Sequence, residues 1–224
     1  MPRTVAIDGP AGAGKSTIGA LVAERLGYVF LDTGAMYRAV ALAAMRRGFD
    51  PDDALRLSEL AKEIRIMIGP PTKQDGRAYT VLLDGADVTW EIRTADVDRI
   101  VSQVARVPGV RDAMVAQQRG LAGQARIVMV GRDIGTVVLP HADRKIFLTA
   151  SASERARRRE EELASRGERR PRQELLHEIL RRDQLDSERA VSPLKAAEDA
   201  IVVQTDGLTV REALDRILAA IQRP

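Results

Sequence analysis

Nine consecutive residues, Gly9-Pro10-Ala11-Gly12-Ala13-Gly14-Lys15-Ser16-Thr17, carry the most specific chemistry in the sequence and match G-x-x-x-x-G-K-[ST]. They follow the apolar run TVAID, which ends at Asp8, and lead into helical periodicity from Ile18 through Leu26. In that strand-to-helix setting, glycines let the backbone turn tightly, so that successive N–H groups point at phosphate oxygens. The start of the following helix adds its positive dipole end. Lys15 is expected to reach the β- and γ-phosphates, and the Ser16 hydroxyl to sit on Mg2+. The stretch from Gly9 to Thr17 is therefore expected to cradle a nucleoside triphosphate.

A second set of polar residues falls where an acceptor would bind. Thr33 and Arg38 follow the apolar run YVFLD in the block LDTGAMYR, at the end of a strand where α/β ligands usually sit. The turn Asp32-Thr33-Gly34 suits a helix N-cap equally well, and Arg38 a solvated helix face. Ser102 and Arg111 lie on neighbouring helical segments separated by Pro108-Gly109. Arg132 and Asp133 come directly after RIVMV and Gly131; an adjacent Arg and Asp at a strand end are costly to bury without partners, which favours a functional role. Arg182, Asp186 and Arg189 fall at i, i+4 and i+7, on one helix face. That face suits a phosphate with a sugar hydroxyl beside it, and a surface salt-bridge ladder has the same spacing.

These residues need a scaffold. The runs TVAID, YVFLD, RIVMV, KIFLT and AIVVQ read as strands, and helical patterns begin near Ser16, Gly34, Thr94, Pro108, Ser153, Arg172 and Thr209. Short apolar strands alternating with helices predict an α/β fold with a parallel sheet covered on both faces. Residues 64–93 break the alternation and read as a small antiparallel β insertion, with turns at Gln74-Asp75-Gly76 and Asp84-Gly85. Residues 154–189 are highly charged and read as a helical hairpin broken at Gly167 to Pro171. Taken alone, that hairpin is explained by i,i+4 charge pairs on solvated helices. Trp90, beside the insertion, reads as a packing anchor.

Composition removes several classes of function. No apolar run is long enough to cross a membrane, and the chain enters a strand at once, leaving no room for a signal peptide. Cysteine is absent, which excludes disulfides and thiol metal sites. Only His141 and His177 could supply imidazole, so a histidine-rich metal site is unavailable. A cytoplasmic protein is expected, acting as a monomer with neither membrane nor nucleic acid as partner. The net charge of +3 is modest, although arginine is strongly preferred to lysine and its planar fork suits phosphate.

Taken together, IDGPAGAGKST, LDTGAMYR, DVTWEIRT, SQVARVPGVR, GRDIGTVV, KIFLTAS and RRDQLDSERAVSPL resemble the bacterial cytidylate kinases, of the nucleoside monophosphate kinase group, in order and over nearly the whole chain. The resemblance implies a P-loop fold with a five-stranded parallel core formed by residues 1–63, 94–153 and 190–224. It also implies a nucleotide-binding insertion over about 64–93 and an arginine-bearing lid over about 154–189. By position, Ser102, Arg111 and Asp133 would recognise the cytosine edge, and Arg182 and Asp186 the sugar. Arg38, Arg132 and Arg189 would hold the acceptor phosphate, with Thr33 lining that pocket. The implied reaction is transfer of the ATP γ-phosphoryl group to CMP or dCMP, with Mg2+. Lys15, Arg132, Arg182 and a lid arginine would neutralise charge on the moving group. Arg155, Arg158 and Arg159 are the lid candidates, with Arg158 placed among the catalytic residues. One departure stands out: Val130 precedes GRD, where similar enzymes often carry an acid, so Mg2+ would depend on Ser16, phosphates and water, with Asp8 or Asp32 in support.

Rival readings are weaker. Guanine-reading switch proteins usually rely on N-K-x-D, and this chain has no asparagine. A nucleic-acid-stimulated ATPase would want stacking platforms, and only 3% of residues are aromatic. A kinase acting on UMP or another small acceptor is the nearest alternative, and Asp133 is the residue that separates it. Asp133 can accept from the cytosine amine, which uracil lacks.

Overall fold

All five apolar runs are strands in a computed structural model that describes residues 1–165, 167–188 and 191–222. They are β1 (Thr4–Asp8), β2 (Val29–Asp32), β6 (Ile127–Gly131), β7 (Arg144–Thr149) and β8 (Ile201–Gln204), in a parallel sheet of order β2-β6-β1-β7-β8. A second, antiparallel sheet holds β3 (Ile66–Gly69), β4 (Thr80–Leu83) and β5 (Ala86–Asp87). The helices are α1 (Lys15–Leu26), α2 (Thr33–Arg46), α3 (Ala54–Glu63), α4 (Ala95–Val104), α5 (Pro108–Gln124), α6 (Ala152–Ser165), α7 (Arg172–Glu188) and α8 (Val210–Gln222). None of them is long and apolar enough to cross a membrane.

The chain divides into two compact units, Met1–Val29 with Arg126–Pro224, and Phe30–Ala125. In the first, β1 lies between β6 and β7, and Asp8 stands opposite both Gly131 and Phe147. The C-terminal ends of three strands are thus level, which brings the loop after Asp8 beside Arg132 and Asp133. Ile7, Ile127, Met129, Ile146 and Leu148 are fully buried here. With Val5, Ala6, Val128 and Val130 buried as well, both faces of β1 and β6 are apolar, as central parallel strands require. In α6 and α7, Ala156, Leu163 and Leu175 form a small core of their own, with Leu176 and Ile179 against it.

The second unit packs α2, α3, α4 and α5 around Met36, Leu57, Leu60 and Met114. Helix α3 is not among those the sequence predicts. Asp53 caps it by accepting from the Arg56 N–H at 3.1 Å, and Leu57, Leu60 and Ala61 are its buried stripe. Its ten residues alternate charge and leucine closely enough to read as a loop until α5 is there to cover the stripe. The expected turn at Asp84-Gly85 is a two-residue hairpin loop with φ of 50° and 86°, the pairing such hairpins favour. Arg77 ties the insertion together: it donates to Asp75 at 2.6 and 2.8 Å and to Asp87 at 2.7 Å. These bonds hold both carboxyls well below the usual carboxylate range. Trp90 is 40% exposed rather than buried, and donates from Nε1 to Asp75 at 2.9 Å.

Candidate active site

The phosphate loop leaves β1 at Asp8 and enters α1 at Lys15. Gly9 has φ +151°, and a Cβ there would stand 1.9 Å from the Leu148 carbonyl oxygen, so only glycine fits. Gly14, in the left-handed region at φ 90°, is the N-cap that turns the chain into α1. The N-terminus of α1 carries no acidic residue in its first turn, so its partial positive charge is available to an anion. Lys15 is buried and donates from Nζ to the Pro10 carbonyl at 2.7 Å, folding back over the loop.

Asp8 is a working part of this loop that sequence reasoning offered only as an auxiliary metal ligand. Its two carboxylate oxygens accept from the Ile134 and Gly135 N–H groups, each at 2.7 Å. Those amides begin a single π-helical turn, Ile134–Val138, for which Asp133 is the N-cap. One buried carboxylate therefore joins the phosphate loop to the strand end bearing Arg132 and Asp133. π-Turns of this kind recur at functional sites. Burial pushes the Asp8 carboxyl up to about 6; the two backbone donors pull against burial, and nearby Asp133 adds to it.

The sign of this shift gives a prediction. The folded-state value lies above the ordinary 3.8, so folding takes up a proton between about pH 4 and 6. The stabilisation is complete below the unfolded value and is lost as pH rises through about 6. Keeping the buried charge at pH 7 costs about 3 kcal/mol. In urea unfolding, the stability of Asp8→Asn minus that of wild type is expected to rise from pH 4.5 to 7.5 by up to about 3 kcal/mol. A difference that stays flat over that range would show that Asp8 does not titrate there.

The lid candidates separate sharply. Arg155 is 4% exposed, donates to the Ala11 carbonyl at 3.1 Å and pairs with Asp183 of α7 at 2.5 and 2.9 Å. It fastens the helical pair to the phosphate loop. Arg159 lies further out and pairs with Glu162 at 2.8 Å. Arg158 bonds Glu154 and the Thr205 carbonyl, and its Nη1 stands 3.9 Å from where a Gly14 Cβ would be. Only this one is both half-exposed and beside the loop. Arg132 donates from Nε to Asp186 at 2.6 Å, so a predicted phosphate ligand and a predicted sugar ligand meet. Asp133 is buried, Arg182 lies on α7 one turn before Asp186, and Arg189 lies outside the described residues. Val130 is buried in β6 opposite Ile7, so the position before GRD supplies no carboxylate.

In the Phe30–Ala125 unit, Thr33 is the first residue of α2 and Arg38 lies on the same helix. Arg38 donates to the Ile92 carbonyl at 3.0 Å and pairs with Asp98 at 2.5 Å. Asp98 is one turn before Ser102 on α4. Arg111 of α5 is buried; it donates to the Ala105 carbonyl at the end of α4 and covers the Tyr37 ring at 5.4 Å. Arg38, Ser102 and Arg111 are thus linked through α4. The Asp32 carboxylate accepts from the Tyr79 hydroxyl at 2.7 Å, a contact that 47 residues of separation hide from the sequence. Among the described residues, no cluster of three acidic or histidine side chains could hold a metal by itself.

Parallel sheet, glycine-shaped phosphate loop and arginine-bearing helical pair define a P-loop kinase. The family model described as cytidylate kinase matches residues 5–223. A cytidylate kinase of Chloroflexus aggregans is 55% identical over 97% of this chain and 93% of its own, and one of Roseiflexus castenholzii 49% identical over 98% and 94%. The chain belongs to the cytidylate kinase family and is a nucleoside monophosphate kinase. In fold alone, it is also similar to the crystal structure of an uncharacterized protein from Eubacterium ventriosum, with a TM-score of 0.50 at 12% identity over 99% of each chain.

Proposed function

We propose that this enzyme transfers the γ-phosphoryl group of ATP to CMP or dCMP, giving ADP and CDP or dCDP, in the cytoplasm and as a monomer. The observation that carries the reading is the family match spanning residues 5–223 in a chain whose phosphate loop admits only glycine at its first position. An acceptor phosphate oxygen attacks the γ-phosphorus in line as the bond to the ADP oxygen breaks, with no enzyme-bound intermediate. Such a reaction is governed by positioning and charge neutralisation. Lys15 and the loop N–H groups hold the donor. Arg158 balances charge as the group moves, with Arg132 and Arg182 contributing from the acceptor side. Ser16, half-buried at the start of α1, suits Mg2+ bound mainly by phosphates and water; the ion would screen charge on the transferring group.

Thr33, Arg38, Arg132 and Arg189 are assigned to the acceptor phosphate, Arg182 and Asp186 to the sugar, and Ser102, Arg111 and Asp133 to the base. The test measures ADP formation from ATP and Mg2+ with CMP, dCMP, UMP, AMP and GMP offered separately. Turnover confined to CMP and dCMP is expected; turnover without any acceptor defeats the reading. In the same assay Asp133→Ala is expected to lower kcat/KM about 100-fold for CMP, the worth of one charge-assisted hydrogen bond, and far less for UMP. Equal losses would remove Asp133 from base recognition and favour the alternative, a UMP-directed kinase.

A further inference from the structure

Arg155 makes more bonds than fastening a helix requires. Four of its five N–H donors are used. Nε gives to the Ala150 carbonyl, just past β7, at 3.0 Å, and Nη1 to the Ala11 carbonyl at 3.1 Å. Nη1 also gives to one Asp183 oxygen at 2.9 Å, and Nη2 to the other at 2.5 Å. The arginine stem runs along the phosphate loop at Gly12, where an added Cβ would stand 3.4 Å from the Arg155 Cβ and 3.7 Å from its Cγ. A planar fork filled in this way fixes its partners relative to one another. Strand end, phosphate loop and α7 thus share one side chain.

Asp186 closes a circuit. It lies three residues after Asp183, about one turn along the same helix, and accepts from Arg132. Arg132 leads through Asp133 into the π-turn, whose Ile134 and Gly135 N–H groups bond Asp8, the residue before Gly9. From loop back to loop, every non-covalent step is a hydrogen bond to a charged group, and all lie in the unit formed by Met1–Val29 and Arg126–Pro224. Leu175, Leu176 and Ile179 supply apolar contact between α7 and α6, and Asp183 lies a turn beyond the last of these. The ion pair with Arg155 therefore holds the turn of α7 that carries Arg182 and Asp186.

We propose that the Arg155–Asp183 pair couples the two substrate sites, with Asp183 as a positioning residue. A phosphate loop filled by the donor sets, through Arg155, the turn of α7 whose Arg182 and Asp186 are assigned to the acceptor's sugar. The inference rests on the reading of ATP as donor and CMP as acceptor. A ligand on the loop fixes the Ala11 carbonyl, and Arg155 passes that order to α7, so the second ligand meets an element already in place. By linkage the effect is reciprocal, and couplings of this type are typically about 5- to 150-fold in affinity.

The test measures CMP affinity by calorimetry without and with saturating adenylyl imidodiphosphate and Mg2+, a donor analogue that cannot transfer its γ-phosphoryl group. Wild type is expected to bind CMP about tenfold more tightly when the analogue is present. Asp183→Asn is expected to reduce that ratio below about twofold, with the affinity for either ligand alone within about threefold of wild type. Arg155→Lys keeps the charge but cannot span Ala11 and both Asp183 oxygens, and should do the same. Glu160→Gln removes a second ion pair between α6 and α7, to Arg172 at 2.6 Å, and should leave the ratio at its wild-type value. A ratio preserved in Asp183→Asn, absent from wild type, or lost equally in Glu160→Gln overturns the inference. If Asp183→Asn does not fold, Arg155→Lys decides on the same criterion. A wild type that does not phosphorylate CMP defeats the acceptor reading and this inference with it. A wild type that does, alongside a coupling indifferent to Asp183, defeats the inference alone.

Discussion

Replacing Lys15 by methionine is expected to lower kcat for ADP formation about 1000-fold while leaving the CMP affinity within a few-fold of wild type. The proposed role of Lys15 is to follow the β- and γ-phosphates as charge shifts between them. Its ammonium is held inside the loop by the Pro10 carbonyl at 2.7 Å, so little reorganisation is needed when phosphate arrives. Removing one preorganised charge from a water-poor site typically costs 100- to 1000-fold in rate, and a mobile triphosphate lies at the upper end of that range. Methionine keeps the length and apolar stem, so the loop should persist, and a thermal melt within a few degrees of wild type checks it. A loss smaller than tenfold would mean that Lys15 only binds ATP and does not act on the moving group.

The largest stability effect is expected at Gly9. A Cβ placed there meets the Leu148 carbonyl oxygen at 1.9 Å, at a φ that L residues rarely adopt. The oxygen belongs to a central strand whose register is held by β1 and β8, so it cannot withdraw. Overpacking and backbone strain together should make Gly9→Ala about 4 kcal/mol less stable and abolish ATP binding at temperatures where the chain still folds. Gly120→Ala is the control, because it sits in the exposed interior of α5 with nothing within 4 Å of its added Cβ. It should gain about 0.5–1 kcal/mol from the unfolded-state entropy of glycine. Equilibrium urea unfolding of the two variants tests both signs. A mild effect at Gly9 would show that β7 yields.

The family, the strands and the phosphate loop were legible in the linear chain because each is a local or repeated pattern. Five apolar runs become five parallel strands, since a strand buried on both faces must be apolar throughout. Gly9 to Thr17 announce their ligand because a glycine-spaced loop between strand and helix is itself a local pattern that aims backbone N–H groups at phosphate. The i, i+4 spacing of Arg182 and Asp186 likewise follows from the helix. What needed tertiary structure were contacts between residues far apart, where spacing carries no information. Helix α3 was missed because its stripe gains meaning only against α5. Arg155 and Arg158 are alike in sequence; the fold buries one on Ala11 and leaves the other beside Gly14. Asp8 became the bond between loop and π-turn only when β1 and β6 were set level. Sequence by itself determined the class of chemistry, because phosphate binding is a property of a short loop. Tertiary structure decided which charges are paired and with which partners, because pairing depends on distances that no local pattern encodes.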